Sequence, residues 1–200
     1  MQRSPEAVRP DEFIRDVLQN RHNRFILEHL PALGLPDAWL VAGCLFQTVW
    51  NLHSGQPPEA HIKDYDLFYF DPADLSGAGE AAVNERVSAC FAGQGIVVEA
   101  KNQARVHTWY EEYFGFPYAA LKSSHEGIDR FLVSCTCVGL KANAAGLADI
   151  ELYAPNGLTG LYQGKLSPNP LCNHLPLFEK KAKAYQDRWS WLQVIHPQTA

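Results

Sequence analysis

The sequence lacks several features that would assign its 200 residues to a special class of protein. No apolar run approaches the 18 residues that a membrane-spanning helix needs. The five cysteines are odd in number and scattered, which makes a poor disulfide framework and favours a reducing compartment. No apolar stretch follows the first charged residues, so no signal peptide is expected. These absences predict a cytoplasmic protein with no membrane association.

Positive charge is also scarce. Seventeen Lys and Arg residues stand against 22 Asp and Glu residues, which gives a net charge of −5. This balance argues against a protein that grips a long nucleic acid mainly by charge. The chain is 46% hydrophobic, without repeats, linkers or low-complexity segments, and is long enough to bury a sizeable core. We therefore expect one domain over residues 1–200.

Two common enzyme signatures are missing, and one metal pattern is weak. The sequence contains neither the Gly-x-Ser-x-Gly elbow of serine hydrolases nor a P-loop, so both classes lose their support. Cys135-x-Cys137 and Cys172-x-His174 do not have a standard zinc spacing. Buried free cysteines behave as small hydrophobic residues, so zinc is not favoured.

Hydrophobic periodicity predicts helices interleaved with strands, followed by a late strand pair. Such a pattern indicates an α+β (α/β-like) fold, a mixed sheet flanked by helices. Helices are predicted over about 10–30, from Gly43 to Leu52, over 79–93, from the capping box at Ser123 to Phe131, and over about 177–193. Strands are predicted over 64–70, 95–101, 133–141 and 147–153, and the run 38–43 fits either a strand or a helix.

The most informative residues are Asp64 and Asp66, which lie within a predicted strand. Carboxylates separated by one residue point to the same face of a strand, where each raises the pKa of the other. A divalent cation removes this repulsion, and oxygen ligands favour Mg²⁺ or Mn²⁺. The alternative is a solvent-facing pair at the end of an edge strand.

Two further features strengthen the metal interpretation. Gly43 precedes a predicted helix, where a glycine lets backbone N–H groups approach a phosphate. Glu99 lies in an apolar strand, where an isolated buried carboxylate is costly. A third acid on a neighbouring strand would complete a two-metal site for displacement at phosphorus.

These residues, in this order, resemble the motifs of the polymerase-beta-like nucleotidyltransferase superfamily. The closest resemblance is to a little-characterised bacterial nucleotidyltransferase-like family, and it covers roughly residues 20–192. It is carried by the segments AGCLFQTVWN, IKDYDLFYFD, VEAKNQARVHTWY and APNGLTGLYQGKLSPNP. The usual Gly-Ser pair is Gly43-Cys44 here, and a thiol is a weaker donor to phosphate. The loop between Gly43 and Asp64 is also long.

The resemblance implies a nucleotidyltransferase-type mixed sheet and a role for each motif residue. Asp64 and Asp66 would hold Mg²⁺ (or Mn²⁺), and Glu99 would be the third catalytic and metal-binding acid. Asp149 or Glu151, a second acidic pair on a strand, is the alternative third acid. Gly43 and Cys44 would bind nucleotide.

A basic cluster follows Glu99 and is expected to bind the triphosphate or the acceptor. The alternative is a solvated turn whose charges balance the acids. The cluster consists of Lys101, Asn102, Arg105 and His107.

The implied activity is transfer of a nucleoside monophosphate from a nucleoside triphosphate, such as ATP, to an acceptor hydroxyl, with release of pyrophosphate. A protein that kept the fold and binds nucleotide without turnover is the alternative. The sequence leaves the oligomeric state open, and also the acceptor, which could be a small molecule, a protein side chain or an RNA end.

Overall fold

The computed structural model describes residues 8–172 and 174–196. The helices are α1 (Pro10–Val17), α2 (Arg21–His29), α3 (Gly43–His53), α4 (Gly77–Phe91), α5 (Tyr110–Phe114), α6 (Ser124–Ile128), α7 (Thr159–Tyr162) and α8 (Leu175–Arg188). The strands are β1 (Trp39–Val41), β2 (Asp64–Tyr69), β3 (Val97–Asn102), β4 (Gly139–Asn143), β5 (Gly146–Tyr153), β6 (Lys165–Leu166) and β7 (Gln193–Val194). No helix in these ranges is long and apolar enough to cross a membrane.

Five strands form one mixed sheet in the order β3-β2-β1-β4-β5. β2 and β3 run parallel, with α4 as their crossover, and the other neighbours are antiparallel. The predicted hairpin is present as β4 and β5, and its turn brings Asn143 opposite Gly146. Short strands β6 and β7 form a separate parallel pair. The predicted α+β fold, a mixed sheet flanked by helices, is thereby confirmed.

The predicted helix over 10–30 is two helices. The break occurs because Asn20 adopts an extended backbone conformation, and its side chain accepts hydrogen bonds from the N–H groups of His22 and Asn23. The first N–H groups of a helix have no partner within the helix, and the capping asparagine accepts hydrogen bonds from two of them. A new helix therefore begins after Asn20.

Other element boundaries also differ from prediction. The helix opened by Ser123 ends at Ile128 and does not reach Phe131. The strand predicted over 133–141 begins only at Gly139, because 134–136 forms a 3₁₀ turn. The last helix begins at Leu175 and ends at Arg188, short of 193. The chain after this helix forms β7, which pairs with β6. This pairing satisfies backbone N–H and C=O groups that would bond within the helix if the helix were longer.

A buried polar network fixes the N-terminal helices against α3 and β2. The Asn20 amide donates to Thr48 Oγ1 (3.1 Å) and to the Tyr65 hydroxyl (3.4 Å). The Asn23 amide donates to the carbonyl of Cys44 (2.9 Å) in the first turn of α3. Buried polar groups are costly when they lack a hydrogen-bond partner. This network therefore fixes the position of Tyr65, the residue of β2 between Asp64 and Asp66.

Candidate functional site

Asp64 and Asp66 line one cavity of about 400 Å³ on the open face of the sheet. Tyr65 between them is buried on the opposite face, as the alternation of a strand requires. The prediction that the two carboxylates share a face is confirmed. The edge-strand alternative is wrong, because β2 lies between β3 and β1.

Burial and like charge both act on Asp66. Burial contributes most, and the negative charges of Asp64 and Glu99 add to it, so the pKa of Asp66 rises to about 6. The positive charges of Lys181 and Lys101 oppose this shift. A bound cation would act in the same direction as these lysines, because it favours the charged carboxylate.

Glu99 lies directly opposite Asp66 in the parallel register of β2 and β3. Its side chain is 49% exposed and forms an ion pair with Lys101 (3.3 Å). Within the described residues, no group of three or more His, Cys, Asp or Glu side chains is close enough to hold one metal ion. Glu99 therefore stands beside the aspartates without forming a three-carboxylate cluster with them.

Asp149 and Glu151 lie on β5, which is separated from β2 by β1 and β4. At the usual spacing between strands this is about 14 Å across the sheet. The topology therefore separates this alternative third acid from the two aspartates.

The N-terminus of α3 forms another part of the cavity wall. Ala42 has φ 63° and ψ −139°, a backbone conformation that favours glycine and costs about 1–3 kcal/mol for other residues. No side chain in the described part of the chain caps α3. A Cβ atom on Gly43 would lie 2.5 Å from Gln47 Nε2, so a larger residue would displace that amide. Such a helix end suits an anion.

Cys44 does not face this cavity. Its side chain is fully buried, and the thiol donates to the carbonyl of Val41 (3.3 Å). Burial raises the pKa of this thiol well above its usual value. The expectation that the Cys44 side chain contacts phosphate is therefore wrong, because the helix turns it into the core.

Asn102 and Arg105 hold a loop in place and do not reach the cavity. The Asn102 amide donates to the carbonyls of Asp71 (2.9 Å) and Asp74 (3.0 Å). Arg105 donates to Glu80 (2.8 Å), and both side chains are about 15% exposed. Neither residue lines the cavity of Asp64 and Asp66, so the contacts of these side chains give no support to the expectation that they bind nucleotide. Lys101 remains on the open face with the acids.

Three further residues, which the sequence did not single out, line the cavity. Lys181 and Tyr185 project from α8, four residues apart on one side of the helix, and Arg130 follows α6. Lys181 lies beside the buried stripe that contains Phe178 and Tyr185, and this position could have predicted that its side chain lies near the sheet. The position of Arg130 follows from tertiary packing.

The cysteines of the weak zinc pattern have other partners. The Cys137 thiol lies 3.9 Å from the carbonyls of Phe131 and Val133, and the Cys172 thiol donates to the carbonyl of Arg130 (2.8 Å). In the segments that the structure describes, these sulfurs belong to no metal-ligating group.

Comparison with known proteins assigns the chain to a family. A nucleotidyltransferase family model matches residues 28–194. A solved structure described as "The NMR structure of the protein reveals a CCA-adding enzyme head domain" is 27% identical, with a TM-score of 0.76. The match covers 94% of this chain and 97% of that one. No curated protein matches. The chain belongs to the nucleotidyltransferase family.

Proposed function

We propose that this member of the nucleotidyltransferase family is an active, Mg²⁺-dependent enzyme. It transfers a nucleoside monophosphate from a nucleoside triphosphate to an acceptor hydroxyl and releases pyrophosphate. The observation that carries this proposal is the placement of Asp64 and Asp66 in one cavity with the uncapped N-terminus of α3 and with Lys181.

The residues present fit a magnesium ion. Mg²⁺ in nucleotide enzymes is held by one or two carboxylates and completes its shell with substrate phosphates and water. Asp64 and Asp66 supply those two carboxylates, so a third close carboxylate is not required. Burial raises the pKa of Asp66 most, and the like charges of Asp64 and Glu99 add to the shift; this repulsion supports a cation at this position. When bound, Mg²⁺ would neutralise the charge of the triphosphate and of the leaving pyrophosphate.

The cavity wall supplies donors for the triphosphate. The first-turn N–H groups of α3 bind phosphate oxygens, and Gly43 keeps side-chain bulk away from them. Lys181 and Arg130 add positive charge from the opposite wall. Because little covalent chemistry is required of the protein, positioning and charge neutralisation supply most of the catalysis.

The acceptor approaches from the side of β3. Glu99, opposite Asp66 and ion-paired with Lys101, accepts the proton of the attacking hydroxyl. The hydroxyl oxygen forms a bond to the α-phosphorus while the bond to the bridging oxygen breaks, and pyrophosphate leaves.

The test is a thermal-shift titration with each of the four nucleoside triphosphates, with and without Mg²⁺, followed by a pyrophosphate-release assay. Ligand at 100 times its Kd stabilises a fold by about 2.7 kcal/mol, a shift of a few degrees for a protein of this size. We expect the shift to require Mg²⁺ and to disappear in Asp66→Asn.

Asp149→Asn is the matched control, because Asp149 is an exposed carboxylate on the far strand of the same sheet. It should retain both the shift and the release of pyrophosphate. A Mg²⁺-dependent shift without release of pyrophosphate from the nucleoside triphosphate, whichever acceptor is supplied, would favour the non-catalytic nucleotide-binding protein. The absence of a shift with every nucleotide would overturn the proposal.

A further inference from the structure

A second cavity, of about 220 Å³, opens beside the acidic one. Phe68, Arg130 and Phe131 line both cavities, so these three side chains form a common wall. The second cavity also reaches Lys101, the ion-pair partner of Glu99. A molecule bound there would therefore lie next to the acids on the β3 side, away from the N-terminus of α3.

Aromatic rings dominate the rest of the lining. Trp109, Tyr110 and Tyr118 form one side, and the Tyr110 and Tyr118 rings lie 4.3 Å apart at 36°. Phe68 and Phe131 meet edge to face at 5.6 Å. Aromatic walls in this arrangement suit a planar ring, which can stack on one face and meet ring edges on another.

The volume of the cavity and the charges of its lining residues limit the kind of ligand that it can bind. Typical sites for drug-sized ligands are about 300–1,000 Å³, so this cavity accommodates one ring system. Lys101 and Arg130 supply positive charge, and the guanidinium of Arg130 lies 4.7 Å from the centre of the Tyr118 ring. Among the described lining residues none is a carboxylate. These charges disfavour a cationic ligand and favour a neutral or anionic one.

We propose that this aromatic cavity is the acceptor subsite, and that the acceptor carries a planar, neutral or anionic aromatic ring beside its reacting hydroxyl. The inference rests on the proposed function, because it takes the acidic cavity as the donor site. The donor triphosphate occupies the side of Gly43 and Lys181, and the acceptor ring enters from the side of Lys101. The positive charges of Arg130 and Lys101 disfavour saturated polycationic acceptors.

The probe is 6-hydroxy-2-naphthoate, a fluorescent, planar and anionic hydroxyl compound. Two comparison compounds separate the ligand properties. 6-(Aminomethyl)-2-naphthol keeps the ring and the hydroxyl and reverses the charge, and 4-hydroxycyclohexanecarboxylate keeps the charge and the hydroxyl and removes the planar ring. We expect the probe to bind at least about tenfold more tightly than either compound, a difference of about 1.4 kcal/mol.

Tyr118→Leu should weaken probe binding at least about fivefold, because it removes the stacking surface while retaining an apolar side chain. The matched control is Tyr113→Leu, since Tyr113 is 77% exposed and lies outside the cavity lining. It should bind the probe as the unaltered protein does. If Tyr118→Leu does not fold, Trp109→Leu replaces it.

Failure of this inference can be distinguished from failure of the proposed function. Asp66→Asn should keep probe binding while it loses Mg²⁺-dependent nucleotide binding. Displacement of the probe by a nucleoside triphosphate with Mg²⁺ would assign the aromatic cavity to the donor base and overturn the inference. Equal binding of the three compounds, absence of probe binding, or equal losses in the two tyrosine variants would also overturn it.

Discussion

Asp66 of β2 lies directly opposite Glu99 of β3, in register along a parallel strand pair. The two acids thus occupy neighbouring positions on one face of the sheet, although 32 residues separate them in sequence. Burial raises the pKa of Asp66, and the negative charges of Asp64 and Glu99 add to this shift. The positive charges of Lys101 and Lys181 also act on Asp66, so this face of the sheet carries charges of both signs, as the proposed binding of Mg²⁺ and a triphosphate requires.

Asp66→Asn should stabilise the metal-free protein above neutral pH. The pKa of Asp66 is raised from 3.8 to about 6, so its charged form is less stable in the folded state than in the unfolded one. This destabilisation is absent below the unfolded pKa, grows as the pH rises towards the folded pKa, and is complete above it. In a buffer with a chelator, the Asn variant should melt roughly 2–6 °C higher at pH 8 and unchanged at pH 3.5. A lower melting temperature of the Asn variant at pH 8 would contradict this assignment.

Lys181→Met should weaken nucleoside triphosphate binding. Lys181 lines the acidic cavity from α8, and loss of a charged contact to phosphate costs about 1.4 kcal/mol, or about tenfold in Kd. The measurement is calorimetric titration in the presence of Mg²⁺. Lys180→Met is the matched control, because Lys180 is next to Lys181 in sequence, is exposed and does not line the cavity. Equal losses in both variants would indicate a general charge effect.

Cys44→Ser should leave nucleotide affinity within about twofold of the unaltered protein. The thiol faces Val41 in the core, so a hydroxyl there does not reach a phosphate. Thiol labelling of the native protein checks the placement, because Cys90 is exposed and should react while Cys44 should not. Rapid labelling of Cys44, or a large gain in affinity with serine, would show that this side chain faces the site.

Asn102→Ala should destabilise the fold without a specific effect on nucleotide binding. Its amide donates to the carbonyls of Asp71 and Asp74, and its side-chain oxygen accepts from the N–H of Asp71 and Ala104. Loss of these bonds should cost about 2–4 kcal/mol in urea unfolding. Lost nucleotide binding with an unchanged unfolding free energy would restore its predicted role in the site.

The sequence alone determined the features that depend on local patterns. The alternation of β2 put Asp64 and Asp66 on one face, and the periodicity of α3 and α8 predicted helices that the structure contains. The sequence also predicted a helix that begins at Gly43, where α3 begins in the structure. Such features follow from residues a few positions apart, because a strand repeats every two residues and a helix every 3.6.

Tertiary structure decided what depends on strand order and on side-chain partners. It placed Glu99 beside Asp66 and moved Asp149 and Glu151 three strands away, which no local pattern determines. It also places the Cys44 thiol in the core and pairs Asn102 and Arg105 with groups that hold a loop. Lys181 and Arg130 line the same cavity as Asp64 and Asp66. These outcomes arise because long-range packing selects the partner of each polar side chain, and short polar motifs in the sequence do not show which partner is near.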